Sequence, residues 1–384
     1  MKIQGYRRKN GEVGIRNHLL VMPSVICACN VAERIAQQVP GSVYITHESG
    51  CGPCVEADRQ RALKTFIGYG SNANVGACIV VGLGCEDFKA ETIAEGIAKT
   101  GKPVKCINIQ KEHGTNNAIR QGVLAAQQMM IDLSTQARVP VDLGEIILGL
   151  ECGGSDTASG IAANPAVGVA SDLLVENGGT SILGETPEHM GGEHILAARA
   201  ASREVAEQFL ALIREWEELA RRENTELTNL SPGNIEGGLS TSEEKSLGCI
   251  LKGGTAPLRE VVRYSCKPSQ KGLVVMDTPG SDIESLTGFV AGGAQIVLFT
   301  TGRGSPVGCP IAPVIKITGT PETYANMIEN MDINAGKIIE GEATVGEVGR
   351  EIFEEMIAVC NGKRTKAEQL GFGGFSIMRR SFTN

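Results

Sequence analysis

A chain of 384 residues exceeds what one hydrophobic core commonly supports, so two domains are expected. Its net charge of −8 argues against nucleic acid and acidic membrane surfaces as partners, and an anionic ligand would need local Arg or Lys. With no apolar run near ~18 residues and no leader character in Met1-Lys2-Ile3-Gln4-Gly5, a cytoplasmic chain with reduced thiols is expected. The twelve cysteines then read as metal-binding or catalytic candidates rather than disulfides. Forty-nine glycines with 4% aromatics suit an α/β enzyme built on many tight strand-to-loop turns.

In chain order, residues 5–18 form a basic, turn-rich lead-in. Strand-like runs follow at Leu19–Val25, Val43–Thr46, Ala77–Leu83 and Val104–Ile109. They alternate with helical patterns at Asn30–Gln38, Glu56–Phe66, Phe88–Lys99 and Asn116–Leu133. Alternation of this kind implies parallel strands joined by right-handed crossovers. The polar stretch Ser134–Gly144 marks a boundary, giving domains of 1–140 and 141–384. The second begins with strand Ile146–Leu150 and a helix near Pro165–Glu176, then strand Thr180–Leu183. Ser202–Arg222 is a clear amphipathic helix, and Glu223–Gly238 a polar loop region. Strands Leu273–Met276, Gln295–Phe299 and Val314–Ile317 come next, and helices Thr323–Met331 and Thr344–Cys360 close the chain.

The strand ends carry the chemistry. Three of them place cysteine beside glycine: His47-Glu48-Ser49-Gly50-Cys51-Gly52, Gly84-Cys85-Glu86 and Glu151-Cys152-Gly153-Gly154. Others end in Glu185-Thr186-Pro187-Glu188, Asp277-Thr278-Pro279-Gly280 and Thr300-Thr301-Gly302-Arg303-Gly304. In an open parallel sheet such loops line the ligand crevice. Thiolates of Cys51, Cys85 and Cys152 would together hold an iron–sulfur cluster with one open iron, or part of a mononuclear iron site; alternatively each is a small buried residue. Cys51 and Cys54 also form a Cys-Gly-Pro-Cys pattern, the basis of a thiol–disulfide oxidoreductase reading.

His47 and His194 are the candidate bases, and Glu86 and Glu185 the candidate acids. Arg16-Asn17-His18, Lys245 and Thr301 with Arg303 are candidates for gripping a carboxylate, as arginine does with two parallel hydrogen bonds. No phosphate-binding loop and no Gly-x-Gly-x-x-Gly after the first strand is present, which disfavours nucleotide cofactors.

These pieces resemble the altronate/galactarate dehydratases and the related large subunit of sulfolactate sulfo-lyase. The matching stretches are Gly11–His18, Gly82–Glu86, Glu151–Asp156 with Ala163-Asn164-Pro165, and Glu185–Glu188 with Gly192-Glu193-His194. Further on they are Pro232-Gly233-Asn234 with Gly237-Gly238-Leu239, Glu244–Gly248, Phe299–Gly304 and Met331–Gly336. The resemblance implies an iron-requiring lyase acting on a polyhydroxy or sulfonated acid. It implies a dimerising first domain, hence a homodimer, and a Rossmann-like parallel-sheet second domain. Single-chain members carry a further small N-terminal β domain. This chain starts at the Gly5-Tyr6-Arg7 lead-in, so a separate small subunit is the expected partner.

The reaction expected is β-elimination. His47 or His194 removes the proton beside the substrate carboxylate, and iron with Arg303 or Lys245 stabilises the enediolate. Glu86 or Glu185 protonates the departing hydroxyl, whereas sulfite would leave with less help. Arg16, Asn17, His18, Ser155, Asp156, Thr301 and Arg303 are the expected substrate contacts.

Overall fold

The computed structural model describes residues 1–51, 55–224 and 230–380. After β1 (Lys2–Arg7) and β2 (Val13–Gly14), the first half alternates β3 (His18–Pro23), α1 (Cys29–Gln37), β4 (Ser42–Tyr44) and α2 (Glu56–Ser71). It continues with β5 (Val75–Gly82), α3 (Ala90–Ala98), β6 (Val104–Asn108) and α4 (Thr115–Ser134). Strands β4-β3-β5-β6 form an all-parallel sheet. Every residue of β5 is buried, as a central parallel strand covered on both faces requires. Alternate residues serve opposite cores: Leu19, Val21, Ile79 and Val81 pack under α1 and α4, while Leu20, Met22 and Val80 pack under α2 and α3.

β7 (Val139–Asp142) then returns to pair antiparallel with β1, which also pairs with β2. This three-stranded antiparallel sheet is absent from the sequence reading. The second half runs β8 (Ile147–Cys152), α5 (Asn164–Glu176), β9 (Thr180–Leu183), α6 (Glu193–Ala198), α7 (Arg203–Arg222), α8 (Pro232–Glu236) and α9 (Ser242–Ile250). It proceeds through β10 (Leu258–Val262), β11 (Gly272–Met276), α10 (Asp282–Ala291), β12 (Ile296–Thr300) and β13 (Val314–Thr318). It closes with α11 (Pro321–Asn326), β14 (Ile333–Asn334), α12 (Val345–Cys360) and α13 (Lys366–Leu370). Its seven strands, all parallel, lie in the order β10-β11-β9-β8-β12-β13-β14. The chain builds outward on one side of β8 and then on the other, so the junction of β8 with β12 is a topological switch point.

The two parallel sheets and their alternating helices agree with the sequence reading. Two differences are instructive. The α2 helix continues past Phe66 to Ser71 through Gly68 and Gly70, which are contact points rather than stops: a β-carbon on Gly68 would overlap the Ala291 carbonyl of α10, and one on Gly70 the Ile97 side chain. The helix expected over Thr323–Met331 begins earlier, at Pro321, and ends at Asn326; proline at the first turn is well suited to start it.

The halves are fastened by buried polar side chains. Asn72 Nδ2 donates to the Val290 and Ala294 carbonyls (2.8 and 2.9 Å), and Asn74 Nδ2 to those of Gln295 and Ile311 (2.8 and 2.9 Å). Arg16 pairs with Glu368 at 2.7 Å and donates to the Val359 and Lys363 carbonyls. The C-terminal segment then crosses back to the first sheet. Gly374 bridges Thr46, and Phe375 packs on Phe66 and Tyr69 with ring centroids 5.6 and 4.9 Å apart.

Candidate active site

The period of two along β8 sends Glu151 and Cys152 to opposite faces of the second sheet, paired in register with Phe299 and Thr300. Cys152 meets two partners on its face. Glu188 Oε2 lies 2.9 Å from both Cys152 Sγ and Cys249 Sγ, and the two sulfurs are 3.5 Å apart. The three side chains are buried, with ligand atoms within 4.8 Å of one another. Glu188 reaches this point because Glu185 takes a left-handed conformation (φ 63°, ψ 57°), a costly state for a non-glycine residue. The Thr278 hydroxyl holds that turn by accepting the Glu185 N–H at 2.6 Å. Cys249 comes from α9, capped by the Thr241 hydroxyl.

The centre is ringed by charge. Lys245 Nζ sits 2.7 Å from Glu188 Oε1, and Lys252 Nζ 2.6 Å from Glu185 Oε2. That second oxygen also accepts the Cys152 backbone N–H at 3.0 Å. Burial opposes ionisation of Glu188, but Lys245 and Lys252, with the two thiol hydrogen bonds, hold it down at about 2. Burial likewise opposes the charge on Lys245, yet Glu188 and the thiols raise its affinity for a proton. The hydrogen bond between the thiols makes Cys152 more acidic and Cys249 less so. On the opposite face, burial and then the Glu185 charge push Glu151 well above the carboxylate range. Two thiols and a carboxylate in a dry site, balanced by two ammonium groups, make a donor set that can bind one thiophilic transition-metal ion.

The switch point supplies a second wall. The Gly302 and Arg303 N–H groups both donate to the Gly154 carbonyl (3.1 Å each), tying the β12 loop to the β8 loop. Asp156 lies beneath Gly302, accepting from Ser159 N and Oγ (2.7 Å each) and from the Thr320 hydroxyl. Thr301 Oγ1 accepts the Gly304 N–H at 3.0 Å, and half-exposed Arg303 pairs with Glu236 at 3.0 Å. Ser155 Oγ approaches Cys152 Sγ at 3.5 Å; Asn234 donates to the Ser155 carbonyl at 2.9 Å and accepts from Lys245 at 3.4 Å. Of the residues singled out from sequence, Cys152, Ser155, Asp156, Glu185, Lys245, Thr301 and Arg303 therefore share one region.

The others lie elsewhere. Cys51 and Cys85 are exposed on loops of the first sheet, and Cys152 is buried in the second, so the expected three-thiol set is not assembled; Cys249 and Glu188 are the companions of Cys152. His47 is buried with both ring nitrogens engaged: Nδ1 accepts from Ser49 N at 3.0 Å and Nε2 donates to the Pro23 carbonyl at 2.9 Å. Burial lowers it to about 4, which keeps it neutral. Glu86 braces its own loop, accepting from Gly84 N at 2.6 Å and Ser24 Oγ at 3.1 Å. Arg16 is the strut between halves, Asn17 bridges Arg8 and the Leu133 carbonyl, and burial pushes His18 down to about 4. His194 is exposed on α6, and Cys54 lies outside the described residues. A cavity of about 1280 Å³ opens between the halves, but it lies away from this centre and its Arg263, Lys267 and Arg380 are already paired with acids.

Glu188, Cys249 and Lys252 escaped the sequence reading as site residues. A signal existed: Thr241 caps a helix on which Lys245 and Cys249 follow at a step of four, hence on one face, and Lys252 comes three residues later in the 3-10 turn that continues it.

A parallel α/β sheet with a buried acid–thiol–ammonium centre at its switch point defines an α/β enzyme. Residues 143–383 match the family model described as D-galactarate/altronate dehydratase, C-terminal, and residues 5–134 that of D-galactarate dehydratase/altronate hydrolase, second domain. The chain is 38% identical to (2R)-sulfolactate sulfo-lyase subunit beta of Chromohalobacter salexigens, over 98% of this chain and 96% of that protein. It is 33% identical to altronate dehydratase of Bacillus subtilis, over 99% and 78% of the two chains. Identity to galactarate dehydratase (L-threo-forming) of Escherichia coli is 34%, over 96% and 74%. The chain belongs to the D-galactarate/altronate dehydratase family, and it is a lyase. Among the described residues no helix is long and apolar enough to cross a membrane.

Proposed function

We propose that this lyase removes water from a sugar acid of the altronate or galactarate type by β-elimination, giving a 2-keto-3-deoxy acid. The observation that carries the reading is the Lys245–Glu188 pair beside Cys152 and Cys249, next to the Arg303 loop. Arg303 exchanges Glu236 for the substrate carboxylate, which it grips with two parallel hydrogen bonds. Lys245, held protonated by Glu188, places positive charge where the enediolate develops. Lys252 with Glu185 positions the Cys152 backbone. Cys152, Cys249 and Glu188 would hold an iron ion. Bound there, it would supply Lewis acidity for the elimination.

A second reading is elimination of sulfite from a sulfolactate-like acid to give pyruvate. What favours it is the relative named for that reaction, matched over 96% of its length against 78% and 74% for the dehydratases. Because that relative is named as one subunit, a partner subunit is part of the proposal. The test is assay of anaerobically purified protein, alone and with its partner, against altronate, galactarate and sulfolactate, scoring 2-keto acid and sulfite separately. Full activity in a chelated, metal-free sample would remove iron from the scheme.

A further inference from the structure

Elimination begins with loss of the proton beside the substrate carboxylate, which calls for a base with a lone pair open to the crevice at the β8–β12 switch point. The acids placed there so far are engaged. Asp156 accepts from Ser159 and Thr320, Glu185 from Lys252, and Glu188 from Lys245 and two thiols. Glu151 is wholly buried. Asp282, the first residue of α10, differs from all four. It is half-buried, and its carboxylate enters no ion pair or side-chain hydrogen bond among the described residues.

Glycines set its place. After β8 the chain turns through Gly153 and Gly154, and their missing side chains leave room on both flanks. A β-carbon on Gly153 would stand 2.5 Å from Asp282 Oδ2, and one on Gly154 would stand 3.2 Å from the Arg303 β-carbon. Adjacent Cα atoms lie only ~3.8 Å apart, so Asp282 and Arg303 flank a single loop tip. That is where a base and a carboxylate grip for the same small acid belong. The loop leading into α10 also reaches the acid–thiol centre: a β-carbon on Gly280 would lie 3.9 Å from Glu188 Oε1.

Charged groups face Asp282 from four other parts of the fold. Lys316 of β13 and Lys245 of α9 favour the carboxylate, whereas Glu188, in the turn after β9, opposes it. Glu151 of β8 is the fourth. Lys316 Nζ is held 2.8 Å from the Ser305 carbonyl and 4.4 Å from the Phe299 ring centroid. That ring ends 2.7 Å from the same Gly153 β-carbon position. Burial first, then Glu188, raises the proton affinity of Asp282, and Lys316 moderates the rise. A carboxylate raised in this way is a stronger base.

We propose that Asp282 is the catalytic base of this lyase. The assignment rests on the elimination read for this site and is common to its sugar-acid and sulfolactate forms. The carboxylate takes the proton from the carbon beside the substrate carboxylate. The C–H electron pair becomes the second bond of the enol as the C–O or C–S bond to the next carbon breaks. Hydroxide leaves with that bond's electrons and takes up a proton from solvent, or sulfite leaves as the anion. Asp282 then returns its own proton to solvent.

The test uses the anaerobically purified enzyme with its partner, on whichever of altronate, galactarate and sulfolactate it consumes. Asp282→Asn should lower kcat at least about a hundredfold, with KM and the unfolding midpoint little changed. Asp282→Glu should regain part of that loss and displace the acid limb of the kcat profile, which reports the base in the bound complex. Wild-type turnover of any of the three acids decides the elimination reading by itself. Against that turnover, an Asp282→Asn kcat within about tenfold of wild type, or an unmoved acid limb in Asp282→Glu, would overturn the assignment of the base and leave the elimination standing.

Discussion

Lys252 Nζ lies 2.6 Å from Glu185 Oε2, and neither side chain is more than 1% exposed. The same carboxylate oxygen fixes the backbone of Cys152, so one buried ion pair sets the position of the thiol. Lys252→Met leaves the Glu185 carboxyl, which burial, Cys152 and Glu188 push well above the carboxylate range, without its partner in a dry site, and should cost about 3–5 kcal/mol of stability. Adding Glu185→Gln should recover part of that loss. Urea unfolding of both variants checks it; a single variant as stable as wild type would mean the pair is not holding its loop.

The Cys152, Cys249 and Glu188 donor set predicts a spectroscopic result. Cobaltous ion added to the metal-free chain should give thiolate charge-transfer absorption. Cys249→Ser and Cys152→Ser should each weaken binding at least tenfold in an absorption titration. Unchanged affinity in both would remove the metal from this centre.

Arg303 is half-exposed and among the described residues its ion pair is with Glu236 on the surface, so its replacement should spare the fold. Arg303→Lys keeps the charge but loses the planar fork. The expected outcome is a KM raised about tenfold with little change in unfolding midpoint.

Gly302 has no room for a side chain, because a β-carbon would overlap the Asp156 carboxyl group. Gly302→Ala should push the Asp156 loop away from Thr320 and shift Arg303 with it. A displacement near 1 Å at such a loop costs about a hundredfold in rate. Steady-state kinetics with a circular-dichroism control would read it.

His47 sets a pH dependence. Burial first, then nearby Arg379, lowers its pKa to about 4, against about 6.5 unfolded. The folded state thus favours the neutral ring, and this stability is complete above pH ~6.5 and is lost as pH falls toward 4. Stability should drop by a few kcal/mol over that window. His47→Gln should flatten the slope there, measured as unfolding free energy against pH.

Much of the fold was legible because its buried parallel strands are unbroken apolar runs, as in Ile79–Val81 and Val297–Phe299. The α10 helix was not, since it is buried on nearly every side and has no polar stripe to give a period. At the site, Glu151-Cys152 and Arg303 were visible as strand ends. The error was to join Cys51 and Cys85 to Cys152: local sequence marks the end of a strand but not the sheet to which it belongs. Cys249 stayed hidden because α9 was not read as a helix, so its spacing from Lys245 and Lys252 carried no face.

The return of Phe375, Ile377 and Met378 to the apolar face under α2 and α3 has a consequence for biosynthesis. Most of that core is made within the first hundred residues, with Tyr264, Val290 and Ile311 added later, yet its last three side chains are translated at the very end. At ~5–20 residues per second, the α2 rings of Phe66 and Tyr69 wait roughly ten to fifty seconds for Phe375. The first half therefore completes its packing only when the final segment emerges.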